Sequence, residues 1–194
     1  MQVSDDAHLA LNAAMDRYAD GDDAAFGEVY DHLAPRLLSF FIRQVQDRAR
    51  AEDLVQQTLL QMHAARRNYA QGSNVLPWAF AIARHVLIDT RRRSSREVLF
   101  DTAEDNAAAL DRNVTRDSSP EDFAVTREMA ERVSRELDRL PEGQRTAYDL
   151  VRREGLSIVD AAEVLGTTPT AIKLRVHRAY EALRAVLVGD EKTA

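Results

Sequence analysis

Apolar residues recur along most of the chain at intervals of three and four, and no stretch sustains the alternation of period two that a half-buried strand needs. The sequence is therefore read as all-α. The pattern predicts helices over about 7–19, 24–45, 48–67, 77–97, 120–139, 142–154, 157–165 and 168–187, with Pro35 expected to break or restart the second. Pro77 suits a first helical turn, Ser119-Pro120 and Thr168-Pro169 read as cap-plus-proline starts, and Gly155 and Gly166 are placed to end helices. Between Ser94 and Ser119 the periodicity fails in a polar, acidic run that reads as a linker. The expected organisation is an acidic tail or helix (1–23), a small helical domain (24–97), an acidic linker (98–119) and a second small helical domain (120–194).

Composition narrows the chemistry. Among 194 residues there is no cysteine, which excludes disulfides, thiolate metal sites and a cysteine nucleophile. His8, His32, His63, His85 and His177 form no zinc-type pair, and no glycine-rich phosphate loop is present, so the expectation is no catalytic residue, no metal and no cofactor. The most apolar stretch, Val75 to Ala83, is stopped by Arg84 far short of the roughly 20 residues a bilayer requires. Residues Met1 to Asp6 lack the basic start of a signal peptide, and the chain reads as cytoplasmic, with no membrane partner.

The net charge of −6 conceals an uneven distribution. Residues 1–24 carry a net −5, 25–100 a net +4, 101–126 a net −5, and 127–194 none. Cationic charge is thus held in two segments, flanked and separated by acidic ones. Only Lys173 and Lys192 are lysines, which fits either a demand for bidentate arginine contacts or a bias of genome composition.

The second cationic segment carries a helix-turn-helix pattern. Ser157 can cap a short helix with Ile158, Ala161, Ala162 and Leu165 on its inner face, Gly166 allows the turn, and Thr168-Pro169 starts the next helix. In that helix Ile172, Val176, Ala179 and Leu183 should face the core, which turns Lys173, Leu174, His177 and Arg178 outward. With Lys173, Arg175, Arg178 and Arg184 against Glu181 alone, the outer face suits a major groove, or is simply a solvated cationic face.

Two further patterns lie in the first cationic segment. Leu54, Val55, Leu59 and Met62 can be buried, while Asp53, Gln56, Gln57 and Leu60 form a separate stripe, either a wet face or a seat for a partner helix. The next helix brings Trp78, Ile82 and Val86 and ends in Arg91, Arg92, Arg93 and Arg96. Core packing accounts for the apolar positions. The arginines either complement the helix dipole or neutralise phosphate, and aromatic plus basic surface is what single-stranded nucleic acid requires.

In this order AEDLVQQTLLQMHAARRNY, PWAFAIARHVLIDTRRR, an acidic linker and LPEGQRTAYDLVRREGLSIVDAAEVLGTTPTAIKLRVHRAYEALR resemble the bacterial extracytoplasmic-function sigma factors of the sigma-70 superfamily, over about residues 24–187. The resemblance implies a region 2 helical bundle and a region 4 helix-turn-helix, in an initiation factor that binds core RNA polymerase and promoter DNA. It makes Asp53, Gln56, Gln57 and Leu60 the polymerase-docking surface, with Gln57 standing where the family pattern has Glu. It assigns capture of a flipped minus-10 base to the loop Asn68 to Leu76, with Asn68, Ser73, Asn74, Trp78, Arg84, His85, Arg91, Arg92 and Arg93 as minus-10 residues. His85 occupies a position where Asn is usual, so that base preference is not carried over. It assigns the minus-35 element to Thr168, Thr170, Lys173, Leu174, Arg175, His177 and Arg178, with Arg175 on phosphate and Leu174 able to meet a thymine methyl. An anti-sigma factor is an implied partner, and the free chain is expected to be monomeric. The competing reading is a conventional helix-turn-helix regulator acting as a dimer, for which no heptad seam is apparent.

Overall fold

A computed structural model describes residues 2–97, Met129 and 132–188. Among these every regular element is helical, and the chain forms two compact units, Met1–Leu110 and Asp111–Ala194. The predicted linker 98–119 and the first part of the helix predicted over 120–139 lie outside the described residues. No described helix is long and apolar enough to cross a membrane.

The first unit contains α1 (Gln2–Ala19), α2 (Phe26–Val45), α3 (Arg48–Ala65) and α4 (Val75–Glu97). Its core takes Leu11 and Met15 from α1, Leu33, Leu37, Phe40 and Phe41 from α2, Leu54 and Met62 from α3, and Leu76 and Phe80 from α4, all 2% exposed or less. Phe40 meets Phe41 and Phe80 edge-on, with ring centroids 5.5 and 5.3 Å apart. The acidic N-terminal segment is thus a structural helix of the first unit. The expected break at Pro35 does not occur, and α2 runs through it. A proline inside a helix costs about 3 kcal/mol. Against that, Val29, Leu33, Leu37, Phe40 and Phe41 are all buried on α2, at about 1.5–3 kcal/mol each, while Pro35 lies on the exposed side.

The second unit contains a helical stretch at 132–139 (α5), α6 (Glu142–Tyr148), α7 (Ile158–Leu165) and α8 (Pro169–Val188). The helix predicted over 142–154 is regular only to Tyr148; it continues as a π-helical turn, Asp149–Arg153. There Glu154 N–H donates to the Asp149 carbonyl at 3.0 Å, five residues back, before Gly155 ends the segment at φ +75°. The wider turn buries both Leu150 and Asp149, and Arg153 pairs with the Asp149 carboxylate at 3.3 Å.

Local chemistry fixes the α7–α8 corner. Ser157 Oγ accepts from Asp160 N–H at 3.0 Å and the Asp160 carboxylate accepts from Ser157 N–H at 3.3 Å, a reciprocal capping box. At the other end Thr167 N–H reaches the Ala162 carbonyl (2.9 Å) and Gly166 N–H the Glu163 carbonyl (3.1 Å), the Schellman pattern, with Gly166 left-handed at φ 59°. Thr168 Oγ1 accepts from Ala171 N–H at 3.2 Å and opens α8. Ile172, Val176, Ala179 and Leu183 are buried as their spacing predicts.

Candidate functional site

On α3 the buried set Leu54, Val55, Leu59 and Met62 leaves Asp53, Gln56, Gln57 and Leu60 exposed along the opposite side, and Leu60 keeps 68% of its surface. Beside this stripe lies a mostly apolar cavity of about 540 Å³, lined by Tyr18, Asp23, Phe26, Tyr30, Gln56, Leu59, Leu60 and His63. Tyr18, Phe26 and Tyr30 were not singled out by sequence reasoning. The available signal was the Phe26–Tyr30 spacing of one helical turn, since those rings lie 6.3 Å apart and Tyr30 is 48% exposed. The Tyr18 hydroxyl hydrogen-bonds His63 Nδ1, which ties α1 to α3 under the cavity. Burial pushes the Tyr18 phenol above its usual range, and Asp23 adds to the rise while Arg66 opposes it.

Between α3 and α4 a short 3-10 turn, Arg66–Asn68, leads into the loop that carries Asn68, Ser73 and Asn74, all exposed. Tyr69 is buried within it, donates its hydroxyl to the Ser73 carbonyl, and packs its ring 5.3 Å from that of Trp78. Burial, seconded by the nearby Asp16 carboxylate, pushes the Tyr69 phenol up to about 12. Trp78 is accordingly half-buried, with one part fixed against Tyr69. Asn74 Oδ1 accepts from Leu76 N–H at 3.2 Å and so caps α4. Along α4, Val86 is buried, Arg84 half-buried and His85 exposed.

The arginine cluster is not uniform. Arg91 folds back to donate to the Gln44 carbonyl near the end of α2 at 3.2 Å, whereas Arg92 and Arg93 are exposed. Arg91 therefore joins α4 to α2, a role that cation clustering in the sequence did not distinguish from phosphate contact.

The first half of α8 presents Thr170, Lys173, Leu174, His177 and Arg178 to solvent on the side opposite its buried residues, and Thr168, just before the helix, is exposed as well. His177 Nε2 lies 3.3 Å from Glu181, one turn along. Arg175, expected on phosphate, is half-buried, with its guanidinium over Gly143, 3.7 Å from where a β-carbon there would stand. A second aromatic and cationic cluster went unread in the sequence. Tyr148 meets Tyr180 edge-on at 5.8 Å, and the Arg152 guanidinium sits 4.8 Å from the Tyr180 ring centroid.

Residues 29–97 match the family Sigma-70 region 2 and residues 130–183 the family Sigma-70, region 4. The chain is 37% identical over 180 residues to the ECF RNA polymerase sigma factor SigF of Caulobacter vibrioides, covering 92% of this chain and 94% of that protein. It is 32% identical over 173 residues to the RNA polymerase sigma factor CarQ of Myxococcus xanthus, covering 89% and 95%. Among solved structures, the sigma factor RpoE of Bartonella quintana, crystallised with the anti-sigma factor NepR, superposes with a TM-score of 0.68 at 29% identity, over 84% of this chain and 96% of that one. CnrH, solved with the cytosolic domain of CnrY, shares the fold at 23% identity and a TM-score of 0.66, over 93% and 99%.

Proposed function

Because the chain belongs to the extracytoplasmic-function RNA polymerase sigma factors, initiation factors that bind core polymerase and direct it to promoters, we propose the following division of labour between its two units. The α3 stripe Asp53, Gln56, Gln57 and Leu60, with the adjoining aromatic cavity, seats the polymerase. The 68–74 loop with Trp78, Arg84 and His85 takes the minus-10 strand, Arg92 and Arg93 neutralise its phosphates, and Arg91 holds the supporting helix in place. The outer face of α8 reads the minus-35 major groove through Lys173, Leu174, His177 and Arg178, with Thr168 and Thr170 at the backbone.

Strand separation then needs no covalent chemistry from this chain. Each unstacked base held on the loop side shifts the duplex towards the open form by about 1–3 kcal/mol. The observation that carries this reading is the coincidence of the exposed α3 stripe and the exposed α8 face with the two matched sigma regions, in the matched order. A conventional dimeric regulator is not favoured, since the region 2 match occupies the half that such a protein would use for sensing or dimerisation. The Bartonella quintana relative is held by an anti-sigma factor, and the cavity beside Leu60 offers a comparable partner an apolar seat that would exclude polymerase.

The direct test is transcription by core polymerase with and without the purified chain on a library of duplex promoters. Enrichment of RNA starts downstream of a common pair of elements supports the reading. Random starts, or no dependence on the chain, would overturn it.

A further inference from the structure

We propose that α1 is a positioning element for minus-10 recognition, in which Asn12, Asp16 and Asp20 hold the base-capturing loop in its working shape. The inference rests on the assignment of that loop to the minus-10 strand. Asn12 and Asp16 lie one turn apart on one edge of α1, and Asp20 follows four residues on, just past the helix end, where its N–H still bonds the Asp16 carbonyl at 3.1 Å. Each accepts a hydrogen bond from the loop. Asp20 Oδ1 accepts from Gln71 Nε2, Asp16 Oδ1 from Gly72 N–H at 2.9 Å, and Asn12 Oδ1 from Val75 N–H at 3.0 Å. The loop therefore runs antiparallel to α1 along a row of three acceptors.

Such support adds to the loop's own bonds, from the Tyr69 hydroxyl to the Ser73 carbonyl and from Ser73 N–H to the Ala70 carbonyl at 3.1 Å, neither of which reaches Gln71 or Gly72 at its tip. Asn68, Ala70, Gln71, Gly72, Ser73 and Asn74 are all exposed, and only Tyr69 and Val75 anchor it in the core. Gly72 takes φ +75°, a left-handed turn that points its N–H at Asp16. A loop that must be ordered on binding loses affinity to conformational entropy, whereas one held beforehand does not. The partners are 51, 56 and 63 residues away in sequence, so the recognition surface of region 2 is set by a helix outside the matched segment 29–97.

The test uses holoenzyme assembled from core polymerase and the full chain, carrying either the parent sequence or Asp16→Ala with Asp20→Ala. Promoter-specific RNA is measured on the best promoter and on single-base substitutions across its minus-10 and minus-35 elements. Loss of two carboxylate hydrogen bonds should lower discrimination at minus-10 positions by on the order of tenfold while leaving minus-35 discrimination and core binding unchanged. Asp16→Asn, which keeps an acceptor facing Gly72, should restore most of the minus-10 discrimination. An unchanged minus-10 profile would overturn the proposal, as would equal losses at both elements or failure of Asp16→Asn to rescue. Should the double variant not fold, each single alanine variant is read against the same criteria. A parent holoenzyme without promoter preference would instead refute the sigma assignment, and the positioning role with it.

Discussion

In the second unit Lys173, Leu174, His177 and Arg178 share one side of a single helix whose other side, Ile172, Val176, Ala179 and Leu183, is buried. In the first unit the candidate surfaces draw on four helices and a loop, held together by contacts such as Tyr18 to His63, Arg91 to Gln44 and Asp16 to Gly72. A helix face that meets a regular groove can be specified by the period of one element and its caps. A surface that seats a partner and also takes single bases needs irregular backbone, and irregular backbone has to be fixed by residues distant in sequence.

That contrast can be broken by mutation. Asp53→Arg should have the largest effect, because a misplaced charge in an interface costs about 2–5 kcal/mol, or on the order of 30-fold and more in affinity for core polymerase. Fluorescence anisotropy of the labelled chain with core polymerase measures it, and circular dichroism should show the helices intact, since Asp53 is exposed on α3. Arg178→Ala should weaken upstream recognition by about 1–3 kcal/mol if it reads a base, with relaxed preference at one minus-35 position and unchanged core binding. Promoter-variant titrations with holoenzyme separate those two outcomes.

Smaller effects test the supports. Ser157→Ala removes half of the capping box and should destabilise the second unit by about 0.5–2 kcal/mol, seen as faster hydrogen exchange in α7 with exchange in α1–α4 unchanged. Tyr69→Phe probes the first unit through pH. The folded state keeps the Tyr69 proton until about 12, whereas the unfolded chain releases it near 10. The contribution of Tyr69 is therefore fully present below about 10 and is lost as pH rises towards 12, and the variant should lose less stability across that window than the parent. Trp78, the single tryptophan, packs on this tyrosine and reports the unfolding.

The same contrast governs what the sequence discloses. The cap at Ser157, the turn at Gly166, the start at Thr168 and the two faces of α8 were legible because each depends on residues within a few positions. The exposed stripe on α3 was legible for the same reason. Pro35 misled because a local penalty was outweighed by burial of the α2 face, and the π-turn at Asp149–Arg153 escaped because one extra residue per turn leaves no separate mark in the hydrophobic pattern. Arg91, Arg92 and Arg93 are equivalent in the sequence, and only the fold distinguishes Arg91, which reaches back to the Gln44 carbonyl. Asn12, Asp16 and Asp20 fall in the segment read only as an acidic tail or helix, and their partners on the loop follow only from the fold.

The most direct test of the central claim, that both units address one promoter once joined to polymerase, is start-site mapping with reconstituted holoenzyme on promoters in which the minus-10 and minus-35 elements are substituted separately and together. The account predicts that RNA begins at a fixed distance from the paired elements and that losing either one sharply reduces initiation there. Initiation that ignores both elements, or that depends on only one, would contradict it.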